Sequence, residues 1–599
     1  MRLNRRRPGR RTDSVGPVRR TEDALTIDSR PEAAPAEADA GPRNAREPDK
    51  REPEHVEAPG GRRSRWRRAA GWGAGGLAAA LVLFVLLLPT RFSRLEPDWF
   101  ARIPVEALIA AFLVLVLPRR TRRAFVLAFG AGLGVLAILK AMDMGFQYFL
   151  ARSFDPVVDG VSIRAGVEFV ESTRGRPAAA GAVAGTVLLA CVLIALTTLS
   201  AVRLSRLLRR HRAATTGTVS VLTAVWLAAT ALGAQLVPGV PLASKGAAKV
   251  AYRHAVQIGA GLHDRRAFAE EASVDAYRNV PGDRLLTALR GKDVLLAFVE
   301  SYGRSAVQDP EMAPRVGALL ADGDRRLKAK GYGSRSAFLT SSTAGGGSWL
   351  AHATLLSGLW IDNEQRYRNL VDSDRLTLNR AFRRAGWRTV GVMPGVTRAW
   401  PEGSFFGYDR VYTSRDLGYR GPKFGWTTMP DQYTLSAFER LEHGRRDLGP
   451  TMTEIPLLSS HASWGSIPRF IPWDQVGDGS VYRSMREART RPPWPGPERI
   501  RGEYRRSIEY SVGTLISYVE NHGDDDLVVV FLGDHQPLPK VAGENSGRDV
   551  PITVVARDRA VLERISGWGW NEGLKPGPRA PVWRMSSFRD RFLSAFSTP

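Results

Sequence analysis

The chain has 599 residues, too many for one ordinary domain, and a formal net charge of +25 from 85 Lys and Arg against 60 Asp and Glu. A single cysteine excludes a disulfide framework. Apolar residues make up 44% of the total, but they are unevenly placed, and the placement decides the class. Residues 1–68 are rich in Arg, Pro, Glu and Ala, with few aromatics. They cannot bury a core and are expected to form a disordered basic tail. With so many polar residues ahead of the first apolar run, no signal peptide is expected.

Five apolar runs follow, near 69–88, 103–118, 124–142, 178–199 and 216–237. A membrane span needs about 20 apolar residues, so the first and fourth runs fit best. The second is short and carries Glu106 near one end. Their clustering in one third of the chain predicts a transmembrane domain of five helices over 69–238, not the buried helices of a soluble fold. Arg62, Arg63, Arg65, Arg67 and Arg68 precede the first run. Arg119, Arg120, Arg122 and Arg123 crowd the loop between the second and third. Arg203, Arg206, Arg209, Arg210 and Arg212 lie between the fourth and fifth. The loops at 90–102 and 149–177 mix Arg with Asp and Glu. The positive-inside rule then predicts a multi-pass plasma-membrane protein with a cytoplasmic N-terminus. An odd number of spans leaves everything after about residue 238 outside. The positive charge therefore has a topological explanation, and no nucleic-acid partner is expected. The basic tail can also touch anionic lipid. The one cysteine, Cys191, falls in the fourth run, so an outer domain of about 310 residues must rely on its core alone.

Residues 239–289 read as a connector with polar helical stretches such as 265–271. From 290 to 599 short apolar runs alternate with longer amphipathic segments. The runs are 294–299, 389–393, 455–458, 527–532 and 552–556, and the helices between them include 374–385 and 504–521. Runs of this length suit strands buried on both faces. The alternation predicts an α/β domain with a mostly parallel central sheet.

Ligand sites in open α/β sheets lie at the carboxyl ends of the strands. Here the first run ends in Glu300, the third in Ser459-Ser460-His461, and the fourth in Gly533-Asp534-His535. The turn Ala344-Gly345-Gly346-Gly347 leads into Ser348 and then an apolar segment of helical character, which presents the hydroxyl at a helix N-terminus. Each feature alone also suits a cap or a turn. Together, two carboxylates, a histidine and a serine make the ligand set of a divalent metal bound to an oxygen nucleophile. Such a metal can favour the Ser348 alkoxide and neutralise a transferring phosphoryl or sulfuryl group. Mn²⁺ or Zn²⁺ suits mixed carboxylate and imidazole ligands, with Mg²⁺ or Ca²⁺ less favoured. Without a metal, Ser348 has no adjacent base in sequence, and His352 one turn on is a weak candidate.

These segments resemble the alkaline phosphatase/sulfatase superfamily, and more narrowly its lipoteichoic acid synthase and phosphoethanolamine transferase branch. That branch joins five N-terminal membrane helices to an extracytoplasmic sulfatase-like domain. The resemblance covers about 70–599. Phe298-Val299-Glu300-Ser301 is similar to the strand ending in the family's first metal carboxylate, and Gly533-Asp534-His535 to its Asp-His metal pair. The spacing from Ser348 to Ser357-Gly358 resembles that following the nucleophile, which favours Ser348 over the nearby Thr340, Ser342 and Thr343. Leu458-Ser459-Ser460-His461 resembles the segment whose histidine contacts substrate phosphate. Weaker echoes are Trp400 with Phe406-Gly407-Tyr408-Asp409, and Asp431 after Met429-Pro430. In the synthases a Trp and a nearby Arg bind glycerol phosphate, which points to Trp400 and Arg398, although the spacing differs. Sulfatases carry Pro and Arg where Leu350 and His352 stand here, so an unmodified alcohol and phosphoryl transfer are expected. The branch generally uses Thr where this chain has Ser.

The resemblance thus implies a metal-dependent transferase at the outer face of the membrane. A phospholipid would be its headgroup donor, and an envelope glycolipid or polymer its acceptor. Glu300, Asp534, His535 and Ser348 would hold the metal, and His461 would bind phosphate or protonate a leaving oxygen. A hydrolase, either phosphodiesterase or sulfatase, is the alternative. An inactive envelope-binding scaffold is a further one, against which the intact ligand set argues. A transporter is disfavoured because Glu106, Lys140 and Asp143 lie near the ends of the runs.

Overall fold

The computed structural model describes residues 60–599, apart from 161–162, 164–165, 168–169, 172–173, 398–399, 425–426, 463, 465–466, 486–495 and 599. The chain divides into two units, Met1–Trp66 and Arg67–Pro599. Most of the expected tail, 1–59, lies outside the described residues. Its last part is already helical, because the first helix, α1, runs over Gly60–Leu87.

Among the described residues, four helices are long and apolar enough to cross a membrane: Ala70–Leu87 of α1, α3 (Arg119–Leu150), α4 (Arg176–Arg210) and α5 (Arg212–Leu232). The second expected span is only the 12-residue helix α2, Val105–Val116. At 1.5 Å per residue it covers about 18 Å of a core about 30 Å thick. Proline sets both limits: Pro104 is its N-cap, and Pro118, just past its C-cap Leu117, is the N-cap of α3. The arginine clusters nevertheless gather at one end of the bundle. Arg203 Nη2 donates to the Gly71 carbonyl (2.6 Å), and the Trp72 and His211 rings lie 5.8 Å apart. Val114, Val126 and Ala201 pack together, which brings the end of α2 and the start of α3 to the same place. At the opposite end, Lys140 Nζ of α3 donates to the Val85 and Leu86 carbonyls of α1, both at 2.9 Å. The connector holds a 28-residue helix, α6 (Gly246–Ser273).

The part of the chain after α6 is built on a nine-stranded sheet. Its strands are β1 (Asp293–Val299), β2 (Gly333–Thr340), β3 (Arg388–Met393), β4 (Arg410–Thr413), β5 (Thr451–Leu457), β6 (Leu527–Gly533), β7 (Asp549–Ala556), β8 (Asn571–Glu572) and β9 (Val582–Arg584). The order is β8-β2-β7-β6-β1-β5-β3-β4, with β9 beside β2. The run from β6 through β4 is parallel. The expectation of a mostly parallel sheet needs correction on the other side of β6, since β7 is antiparallel to both β6 and β2. The sheet is therefore mixed.

Both faces are covered, as the continuous apolar runs require. On β1, Val294, Leu296 and Phe298 enter one core, and Leu295, Ala297 and Val299 enter the other. The second core is closed by α7 (Ala313–Ala329) and by a long helix, Pro497–His522. The expected helices at 374–385 and 504–521 correspond to Leu378–Arg384 and Pro497–His522.

Register positions the site. Val299 of β1 pairs with Gly533 of β6 on one side and with Leu457 of β5 on the other. The residues that follow these strands, Glu300, Asp534 and the 458–461 segment, therefore emerge side by side. Thr340, the last residue of β2, pairs with Asp549 at the start of β7. That antiparallel pairing returns β2 to the same edge and delivers the glycine turn there.

Candidate active site

The turn after β2 is held in backbone regions that few side chains tolerate. Gly345 has φ 74° and Gly347 has φ 81°. Gly347 is the N-cap of α8, Ser348–Ser357, so Ser348 is the first helical residue. The Gly345 N–H donates to the Gln536 carbonyl (2.9 Å), which ties the turn to the segment after β6. A Cβ on Gly345 would run into the Phe149 carbonyl oxygen, so the turn also rests against the last turn of α3.

Ser348 Oγ donates to Glu300 Oε2 (2.9 Å) and lies 3.3 Å from His535 Nε2. His535 Nε2 is 3.4 Å from Glu300 Oε1 and 3.6 Å from Asp534 Oδ2. All three partners of Ser348 in this cluster are buried. Asp534 Oδ1 accepts the backbone N–H groups of Ser301 and His535, both at 2.7 Å. Ser301 adopts φ 58° to make its bond. The Ser301 hydroxyl donates to Glu300 Oε1 (2.8 Å). His535 Nδ1 donates to the Gln536 carbonyl at 2.8 Å, which turns Nε2 to the cluster; against the cost of burial, the Asp534 and Glu300 charges favour a proton on it, the place a cation would take.

Two carboxylates share this buried space. Burial disfavours the Glu300 charge, but the His535 and His461 imidazoles and the Ser301 and Ser348 hydroxyls outweigh it and hold that carboxyl at about 2. Burial and the Glu300 charge push the Asp534 carboxyl up to about 6. Asp534 Oδ2 has no hydrogen-bond partner despite being buried. Ligand atoms of Glu300, Asp534 and His535 lie within 4.8 Å of one another. Paired anionic oxygens, an orphaned carboxylate oxygen and an imidazole nitrogen fit a divalent cation.

Residues 330–549 match the family model described as Sulfatase. This stretch is a sulfatase-like domain. The match takes in Ser348, His461, Asp534 and His535, and the parallel pairing of β1 adds Glu300 from outside it. No curated protein sequence matches the chain. Among solved structures, the lipoteichoic acid synthase LtaP of Listeria monocytogenes is similar at 14% identity, covering 56% of this chain and 78% of that one, with a TM-score of 0.36. The C-terminal periplasmic domain of Escherichia coli EptC has 12% identity, covering 51% and 82%, with a TM-score of 0.33. The phosphoglycerol transferase GacH of Streptococcus pyogenes, in complex with sn-glycerol-1-phosphate, has 12% identity, covering 55% and 91%, with a TM-score of 0.32. The chemistry is therefore read from the site itself.

Of the residues singled out by sequence, the sulfatase domain brings Glu300, Ser348, Asp534 and His535 into one contact group. His461 is exposed on the loop after β5, with Nδ1 against the Ala462 carbonyl, and lies near enough to lower the Glu300 carboxyl. Trp400 sits outside the group, its ring 5.8 Å from Phe406 and 6.0 Å from Tyr408. Arg398 lies outside the described residues. The alternative hydroxyls are engaged elsewhere or sealed. Thr340 Oγ1 donates to Asp549, Ser342 Oγ accepts from Thr354, and Thr343 Oγ1 is buried without a partner.

Sequence reading named His352 only as a weak candidate and missed the buried group that holds it. His352 Nδ1 lies 3.1 Å from Glu454 Oε1, and Glu454 Oε2 accepts from the Tyr408 hydroxyl at 2.6 Å. The signal was present: Glu454 is a carboxylate in the middle of a strand buried on both faces.

Proposed function

We propose that the protein is a membrane-anchored, divalent-metal-dependent phosphotransferase. It moves a phosphoglycerol- or phosphoethanolamine-type headgroup from a phospholipid to an envelope glycolipid or polymer. In this reading 69–238 is the membrane domain, 239–289 the connector and 290–599 the catalytic domain, at the outer face of the plasma membrane with the N-terminus cytoplasmic. The observation that carries the chemistry is the 2.9 Å bond from Ser348 Oγ to Glu300 inside the Glu300–Asp534–His535 cluster. A lipid donor is supported by the position of the nucleophile turn against the end of α3.

Glu300, Asp534, His535 and Ser348 Oγ would hold the ion, with Mn²⁺ or Zn²⁺ suiting the donor set best. When bound, it favours the serine alkoxide and offsets charge on the transferring group. Ser348 Oγ attacks the headgroup phosphorus, the lipid alcohol leaves, and a phosphoserine forms. The first-turn N–H groups of α8 face the same anion. An acceptor alcohol then takes the group from the serine. His461 binds the phosphate oxygens or protonates the leaving oxygen, and Trp400 contributes to headgroup binding.

A hydrolase is the second reading, supported by the family match itself. There water takes the acceptor's place. Full-length protein with Mn²⁺ or Zn²⁺ and headgroup-labelled phospholipids should release diacylglycerol, and Ser348→Ala should lose at least about 10³-fold of that rate. Label on an acceptor means transferase, and free label means hydrolase. Unchanged release in the variant would move the nucleophile elsewhere, with Thr343→Ala the next variant to measure. No release from any donor would sink the phospholipid reading.

A further inference from the structure

Helix α8 carries Ser348 and His352 four residues apart, on one face. The His352 ring lies flat on Phe298, centroid to centroid 3.7 Å at 13°, two residues before Glu300. Its Nδ1 is 3.1 Å from Glu454 Oε1. Glu454 is 1% exposed, and its other oxygen accepts from Tyr408 (2.6 Å) and from Asn379 Nδ2 (3.4 Å). Nδ1 therefore donates to a fixed carboxylate, and Nε2 keeps the lone pair. The imidazole side chain retains 15% exposure, so it is not sealed into the core. A buried carboxylate behind a histidine that stands beside a nucleophile fixes one tautomer and stabilises the imidazolium when it forms.

We propose that His352, held by Glu454, is the proton-transfer residue for both alcohols of the reaction. This rests on the transferase reading. Before the first turnover the Ser348 hydroxyl loses its proton to solvent and His352 Nε2 takes one up from solvent. In the first half-reaction the Ser348 alkoxide bonds to phosphorus, the bond from phosphorus to the lipid oxygen breaks, and that oxygen takes the proton from Nε2. In the second, the acceptor oxygen bonds to phosphorus and its proton passes to Nε2. The bond from phosphorus to Ser348 Oγ then breaks, with the electron pair returning to Oγ. The proton given to the lipid alcohol is thus replaced by the acceptor's, and the site is reset. His461 is left with the phosphate oxygens. Glu454, Tyr408 and Asn379 touch no reacting atom and act as positioning residues.

A purely structural pair, tying α8 to β5, would have the same contacts but no preference between half-reactions. A nitrophenyl ester of phosphoethanolamine or glycerol phosphate separates them, because nitrophenolate leaves without a proton. In metal-loaded full-length enzyme, His352→Gln should keep a burst of about one nitrophenolate per site. Its steady turnover should fall at least about 100-fold. Intact-mass analysis should then show Ser348 carrying the phosphoryl group. Glu454→Gln should show the same pattern more weakly, and added imidazole should restore turnover to His352→Ala. Burst and turnover falling together, or neither changing, would overturn the assignment. A wild-type enzyme with no burst, matched by Ser348→Ala, would overturn the transferase reading and this assignment with it.

Discussion

Asp431 is a carboxyl with little to balance its charge. It is 1% exposed, its Oδ1 accepts from the Ser459 N–H (2.9 Å), and its Oδ2 has no partner. Its own N–H donates back to Ser459 Oγ (3.0 Å), which pins the segment leading to His461. Burial pushes its carboxyl up to about 6, against the lowering effect of Ser511 and Ser459. The sign follows from which state binds the proton. Between the ordinary Asp value near 4 and about 6, the folded protein keeps a proton that the unfolded chain releases, so this group's contribution to stability falls as pH rises through that window. Asp431→Asn should therefore gain on wild type by on the order of 2–3 kcal/mol between pH 4 and 7.5. Thermal unfolding at the two pH values checks this, and a pH-independent difference between the proteins would refute it. At this scale the candidate site was largely legible. Glu300, Asp534 and His535 stand directly after apolar runs, where strand ends place chemistry. The Glu454 partnership was not, because its meaning depends on which helix crosses above β5.

The glycine turn shows what one element demands of another. Gly345 combines φ 74° with a Cβ position already taken by the Phe149 carbonyl. Gly345→Ala should fold, because the sheet cores do not depend on the turn. It should lose at least about tenfold in kcat, since small displacements of a nucleophile cost that much. Near-normal activity in that variant would mean the contact with α3 does not position Ser348. The same scale explains what sequence reading could not see. Period reports burial and not direction, so 552–556 was legible as a strand, while its antiparallel pairing was not. β2 was missed because it opens with Gly333-Ser334-Arg335-Ser336, a polar start that hides Ala337-Phe338-Leu339. The shortness of α2 was not seen because hydropathy ignored the prolines at its ends.

Across the whole molecule, the arginine-bearing ends of α3, α4 and α5 share one end of the bundle and the Glu300–Asp534–His535 cluster lies beyond the other. The proposed outward orientation makes a simple prediction. In a Cys191→Ser background, a membrane-impermeant maleimide added to intact cells should label Asn545→Cys and spare Arg210→Cys, both exposed positions. The reverse pattern would invert the topology. The broad plan, apolar third then α/β domain, was legible because membrane and aqueous segments obey different composition rules. The way the two parts meet was not, because Gly345 and Phe149 are far apart in sequence.

That meeting has a consequence for where the enzyme can work. A membrane-crossing helix sits at a depth set by matching its apolar length to the hydrocarbon layer. A turn propped on the helix's last residues inherits that depth. The altitude of Ser348 above the lipid is then a property of the bilayer as much as of the protein. In thicker or thinner membranes the same intact site would ride lower or higher against its headgroups, and its rate would track acyl-chain length even when headgroup chemistry is held constant.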